Sequence, residues 1–271
     1  DNTWTGDITL NSDSRIKSAS GTMIISGDII GGSNVLYLGT DSDMEISGVI
    51  SGAGSTQGGT TTSIFKDFSG TLTLNGENTY TGDTRITAGD LIVASGGNLG
   101  DGTSDVILSD NTSLEINNST TIASLEMASG STVTIATGDT LTVNGPITNN
   151  GGTIIIQSGA HLITNDAIAN TGTITVNNAG SILQTGTATN TGSGTYQIIR
   201  TTPSMPDSTR YNYWSSPLSD EAIEDVFPES NTNDFYTHLT TDGWQSTSGT
   251  QTPGVGFTAT PDINHGNWPS A

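Results

Sequence analysis

Cysteine is absent from the 271 residues, so no disulfide or thiolate metal site is available and the chain must hold by packing and hydrogen bonds alone. Cations are almost as scarce. Six Lys and Arg stand against 27 Asp and Glu, a formal net charge of −21, which disfavours nucleic acid or an anionic membrane surface as partner. The same charge favours solubility and suits salty surroundings or cation binding. No apolar run is long enough to span a bilayer, so direct membrane insertion is not expected. Asp1 opens no signal peptide, so an exported protein is expected to begin here at a processed or engineered start. Proline is nearly missing before residue 200, where Pro146 is the single example, and nine of the 15 aromatics lie from residue 200 onward.

Glycine, Thr, Ser and Asn are abundant instead, with 35 glycines and only 31% hydrophobic residues. That apolar fraction is low enough to raise disorder, but the apolar residues are periodic, which a disordered tract would not be. Ser131-Thr-Val-Thr-Ile, Gly152-Thr-Ile-Ile-Ile and Gly172-Thr-Ile-Thr-Val open three copies of one unit, at steps of 21 (131 to 152) and 20 (152 to 172). Val133, Ile154 and Ile174 share a column, as do Ile135, Ile156 and Val176, then Leu141, Leu162 and Ile182, then Ile147, Ile168 and Ala188. Within each unit apolar residues alternate with Thr or Ser, the period of a strand with one buried face. A unit this short cannot bury its own apolar face, so each must lie on the next, and the pattern predicts a parallel β-helix with three short strands per coil of about 20 residues.

The buried column extends backwards from Ile135 through Ile116, Val93 and Leu74, at steps of 19, 23 and 19, with an insertion around Gly52 to Thr62. At about 20 residues per coil, residues 1–199 make about ten coils and, at about 4.8 Å each, a rod of roughly 50 Å. From residue 200 the period is lost. Residues 200–271 are expected to form a small β-rich, sandwich-like domain, with one short helix over Asp220 to Phe227 capped by Ser219; at this size it is either incomplete on its own or a cap or link for the solenoid.

Gly70-Thr-Leu-Thr-Leu-Asn-Gly-Glu-Asn-Thr-Tyr-Thr-Gly-Asp-Thr-Arg-Ile-Thr-Ala-Gly-Asp-Leu-Ile-Val resembles the autotransporter-associated β-strand repeat of bacterial passenger proteins. With Trp4-Thr-Gly-Asp-Ile-Thr-Leu and the Ile-Ser-Gly turns at Ile25 to Gly27 and Ile46 to Gly48, the resemblance covers residues 1 to 130. It implies a right-handed parallel β-helix exported to the surface of a Gram-negative cell, serving as adhesin or stalk. Tyr211-Asn-Tyr-Trp-Ser-Ser-Pro-Leu, Phe235-Tyr, Trp244 and Pro253-Gly-Val-Gly-Phe resemble a segment of large Bacteroidetes surface proteins. That second likeness implies type IX secretion and a longer polypeptide, and it leaves the export route open.

Chemistry is hard to find in the columns. A β-helix lyase needs clustered cations, whereas Lys66, Arg85 and Arg200 are dispersed; a hydrolase needs carboxylates converging from adjacent coils, and Asp166 has Gly145 and Gly186 as column neighbours. Asn231-Thr-Asn-Asp and Asn264-His-Gly are only superficially like hydrolase motifs, His161 reads as a surface histidine, and His238 and His265 have no partner at zinc-ligand spacing. Calcium is the one metal with a candidate, at Asp41 and Asp43 and at Asp101 and Asp105, although solvation explains these turn acids better. Asn149, Asn170 and Asn190 read as a structural ladder of stacked amides. Trp214 and Trp244 are candidates for stacking on sugars or for the core of the second domain. An ice-binding array of Thr132, Thr153 and Thr173 is weakened by Ile155, which interrupts Thr134 and Thr175 in the adjacent column.

These readings converge on a non-enzymatic structural or adhesive segment of a secreted surface protein, without a cofactor. Its expected partners are other surface or matrix components and glycans, with self-association into fibres as a further expectation. A carbohydrate-binding module and a polysaccharide-active β-helix enzyme are the alternatives.

Overall fold

A computed structural model describes residues 1–57 and 60–199, together with three strands near the C-terminus. The chain divides into two compact units, Asp1–Thr201 and Thr202–Ala271. Among the described residues every regular element is a strand.

The first unit is a parallel β-solenoid. Its longest sheet stacks ten strands, Asn2–Trp4, Met23–Ile25, Met44–Ile46, Thr71–Leu74, Asp90–Val93, Ser113–Ile116, Thr132–Ile135, Thr153–Ile156, Thr173–Val176 and Thr195–Ile198. Ten rungs enclose nine coils, one fewer than the sequence count, because the coil between Met44 and Leu72 takes 28 residues (72 − 44). The excess is the insertion: Ser55–Gln57 turns back and pairs antiparallel with Thr60–Asp67 before the chain resumes its course. The column predicted from spacing is the one formed, with Leu74 paired to Val93, Val93 to Ile116 and Ile116 to Ile135.

Strand alternation decides what goes inside. Along Thr132–Ile135 and Thr153–Ile156 the second and fourth residues are buried and the others half-buried, as a period of two requires. A second sheet stacks Ser14–Ser18, Leu36–Thr40, Thr60–Asp67, Asp83–Ile86, Val106–Leu108, Leu125–Met127, Ile147–Asn149 and Ile168–Asn170. Ile25, Ile46, Leu74, Val93, Ile116, Ile135 and Ile156 of the first sheet and Leu38, Ile64, Ile86, Leu108 and Met127 of the second belong to one continuous apolar core. Each such side chain, fully buried, contributes roughly 1.5–3 kcal/mol, offset by the cost of ordering its residue.

The third face is built in two pieces. Ile8–Thr9, Ile29–Ile30 and Ile50–Ser51 form its first part, and Thr120–Ile122, Thr140–Val143, His161–Thr164 and Ser181–Gln184 its second. Two coils between them carry no strand on this face. Their sequences are Gly76-Glu-Asn-Thr-Tyr-Thr-Gly82 and Gly96-Gly-Asn-Leu-Gly-Asp-Gly102, and in the second Gly96, Gly100 and Gly102 sit at positive φ, which breaks an extended run.

In the second unit Tyr236–Leu239, Gly243–Ser248 and Thr260–Asp262 form an antiparallel three-stranded sheet. The helix expected over residues 220–227 lies outside the described residues.

Candidate functional site

Four surfaces or clusters of the solenoid hold the polar chemistry. The first is interior. Asn149 and Asn170 occupy the inward column that holds Leu108 and Met127 in earlier coils, and both are buried. Nδ2 of Asn149 donates to Oδ1 of Asn170 at 2.9 Å and to the Gly152 carbonyl at 3.1 Å, while its Oδ1 accepts from the Gly152 N–H at 2.8 Å. Asn190 departs from this column and corrects the three-residue ladder. The last coil takes an extra step through its turn, so Thr191 pairs with Ala169. Asn190 therefore stands opposite Ile168, whose N–H it accepts at 2.8 Å, and is exposed. Ala188 leaves its expected column by the same shift.

The second cluster is also interior. Lys66 pairs with Leu38 on one side and Ile86 on the other, and its side chain is fully buried. Nζ donates to the carbonyls of Phe68 and Ala88 at 2.8 Å each and of Asp67 at 3.3 Å. Burial pushes the ammonium down to about 8, against the pull of Asp90 and Asp67.

The other described cations cluster outside, on the same sheet. Arg15, Tyr37, Phe65 and Arg85 form one outward column. The Arg15 guanidinium lies 5.4 Å from the Tyr37 and Phe68 ring centres and 2.7 Å from Oδ2 of Asp67. Lys17 lies 4.1 Å over Phe68 and 2.6 Å from Asp41. Tyr37 and Phe65 stack obliquely at 5.3 Å. The positive charges that sequence spacing made look dispersed are thus gathered, but each is matched to a carboxylate or to carbonyls. Asp83 and Asp105 meet on adjacent coils nearby, with the Asp105 N–H 3.4 Å from Oδ1 of Asp83. Burial and the Asp105 charge push the Asp83 carboxyl above its ordinary range.

The fourth is the gap in the third face. It opens as a groove of about 650 Å³ whose lining includes Glu77, Asn98, Asp101, Asn118, Thr121 and Thr142. At its base scattered backbone bonds, from the N–H groups of Thr79, Thr81 and Asp101 to the carbonyls of Ile50, Gly52 and Tyr80, are supplemented by buried side chains. Asn78 accepts from the Ile50 N–H at 2.8 Å and donates to the Asn98 carbonyl at 2.9 Å, and Thr120 accepts from the Leu99 N–H at 3.4 Å. Thr103 donates to Asp101 through its hydroxyl at 2.6 Å and its N–H at 3.0 Å, holding that carboxyl below the usual range.

The remaining candidates fall as follows. Asp41 is engaged by Lys17, Asp101 by Thr103 and Asp105 by the Ser124 hydroxyl at 2.6 Å. The N–H of Met23 reaches the backbone carbonyl of Asp43. Among the described residues no group of three or more His, Cys, Asp or Glu could hold a metal ion. Asp166 accepts from the N–H of Ala167, and exposed His161 meets the Ser181 hydroxyl at 2.8 Å. Ile155 sits between Thr134 and Thr175, and with Ile92 and Glu115 in the same column the face is no flat threonine array. Trp214 and Arg200 lie outside the described residues, as do His265 and the two short hydrolase-like motifs. Trp244 pairs with His238 across the small antiparallel sheet.

The family model described as Passenger-associated-transport-repeat matches residues 69–93, the coil that runs from the rung at Thr71–Leu74 to the rung at Asp90–Val93. A model described as Domain of unknown function (DUF8693) matches residues 147–267. Over 137 residues, 51% of this chain, the sequence is 34% identical to the Adhesin BmaC autotransporter of Brucella suis biovar 1 (strain 1330), and the aligned stretch is 4% of that protein's length. No solved structure matches the chain. The chain therefore carries an autotransporter passenger repeat, folded as one coil of a parallel β-solenoid, and is similar over half its length to a small part of an autotransporter adhesin.

Proposed function

We propose that this chain is part of an adhesive stalk on the surface of a Gram-negative bacterium, with no catalytic role. The observation that carries the reading is the passenger repeat at residues 69–93: it is a structural rung whose strands pair in register with the coils before and after it. A stack of such rungs transmits load through backbone hydrogen bonds along the axis, and its continuous apolar core keeps coils from separating. The adhesin relative favours attachment as the purpose of that stiffness. The passenger repeat and the relative both favour the autotransporter route over type IX secretion. The inward columns favour a scaffold because they are mainly aliphatic, the buried Lys66 among them is tied to backbone carbonyls, and turn carboxylates such as Asp41 and Asp105 are engaged by neighbours.

Surface and matrix components, glycans among them, are the partners this role requires, and the net charge of −21 works against rods pairing side by side. The second unit is read as a cap or a link to further modules. Display of the chain on a non-adherent Gram-negative host tests the reading: cells carrying it should bind epithelial monolayers or matrix-coated plates more than cells carrying the empty display system. Equal binding would refute it.

A further inference from the structure

The gap in the third face is a built feature. Positive-φ Gly96, Gly100 and Gly102 break the extended run in one of its two coils, while backbone bonds from Thr79, Thr81 and Asp101 and the buried side chains of Asn78 and Thr120 hold the coils together beneath it. What remains is a groove of about 650 Å³, within the about 300–1,000 Å³ of small-ligand sites.

We propose that this groove binds a neutral, hydroxyl-rich oligosaccharide. None of its lining residues is Lys, Arg, His or aromatic. An anionic ligand would face Glu77 and Asp101 in a chain of net charge −21. An apolar ligand would leave amides and hydroxyls unpaired. Sugar hydroxyls, which both donate and accept, match what the wall offers. The Glu77 carboxylate and the Thr121 and Thr142 hydroxyls have no hydrogen-bond partner among the described residues, whereas Asn118 uses its Nδ2 on the Gly97 carbonyl and keeps Oδ1. Thr121 and Thr142 are paired rungs of the same sheet, so their hydroxyls repeat along the groove at roughly 4.8 Å. Asn98 adds the sharpest sign: its Oδ1 is shielded from solvent and has no partner. An orphaned acceptor of this kind is unfavourable, and turning the amide toward a bound hydroxyl gives it a partner.

The inference takes its biological setting from the adhesive reading and names a ligand class for it. The test uses the full 271-residue chain on an array of neutral hexose and N-acetylhexosamine oligosaccharides beside uronate-containing ones, with calorimetric titration of the best binder. Neutral sugars should bind, and both Thr121→Trp, which fills the groove, and Asn98→Ala should weaken binding about tenfold or more with the melting temperature retained. No neutral sugar bound, a preference for uronates, or unchanged affinity in Thr121→Trp would overturn the proposal. Cell attachment without sugar binding would overturn the groove and leave the stalk reading standing; sugar binding without attachment would support the groove and refute the adhesive reading.

Discussion

Nδ2 of Asn149 donates to Oδ1 of Asn170, one coil further along, at 2.9 Å inside the solenoid. The pair stands where earlier coils place Leu108 and Met127, so a polar bond substitutes for apolar packing. Asn149→Ala removes this bond and leaves the Gly152 N–H and the Asn170 amide oxygen without it. Asn170 Oδ1 still accepts from the Gly172 N–H at 3.1 Å, so the one stranded group is the Gly152 N–H and the expected loss is about 1–3 kcal/mol. Chemical denaturation of variant and parent checks it through the shift in midpoint.

Lys66 ties stability to alkaline pH. Its pKa falls from 10.5 in the unfolded chain to about 8 in the folded one. Between these values the unfolded chain holds a proton that the folded chain has released, so this residue makes stability rise with pH, by up to roughly 1.4 kcal/mol per pH unit. Below about 8 the penalty of the buried charge is fully present. Buried Tyr80 acts in the opposite sense above pH 10, since burial pushes its hydroxyl up and only the unfolded chain ionises. The difference between the parent and Lys66→Met therefore isolates the effect: the parent should gain on the variant from pH 8 to 10, measured by denaturation at each pH. A constant difference would contradict it.

Two glycines separate close approach from backbone conformation. A Cβ on Gly48 would lie 2.0 Å from the Gly27 carbonyl oxygen in the coil below, and Gly76 is set against Gly48 in the same way. Gly48→Ala must push coils apart and should cost about 3 kcal/mol or more, among the larger point-mutation effects. Gly159 has open space around a Cβ but a φ of +70°. Gly159→Ala should cost only roughly 1 kcal/mol, the strain of a left-handed residue. Thermal unfolding of the two variants side by side reads the contrast.

Asp83 should be better replaced than kept. Burial and the facing Asp105 raise its carboxyl pKa, so its contribution to stability is present below the unfolded value of 3.8 and is lost as pH rises through the folded value. Asp83→Asn keeps an oxygen to accept the Asp105 N–H and removes the repulsion. The variant is expected to melt above the parent at pH 7, with the gain disappearing under strongly acidic conditions where Asp83 is protonated in both states.

Most of the solenoid was legible because strand alternation puts every second residue inside. The irregular steps of 19, 23 and 19 through Leu74, Val93, Ile116 and Ile135 are those of the pairing itself. Asn190 was misplaced because turns, unlike strands, change length without changing the apolar pattern, and residues 185–191 do so. Lys66 carried a signal that its charge concealed: it lies in phase with buried Ile64. The groove also had a signal, the run Gly96-Gly-Asn-Leu-Gly-Asp-Gly102, but it shows only that a strand is missing. That two neighbouring coils lose the same face follows from stacking, which no single repeat contains.

An adhesive stalk must both bind and bear load, and single-cell force spectroscopy reads the two together. A host cell displaying the chain is brought to an epithelial or matrix surface and withdrawn. Rupture events should appear that cells without the chain do not show and that the purified chain in solution suppresses. Rupture frequencies and forces equal to those of cells lacking it would rule out an adhesive stalk.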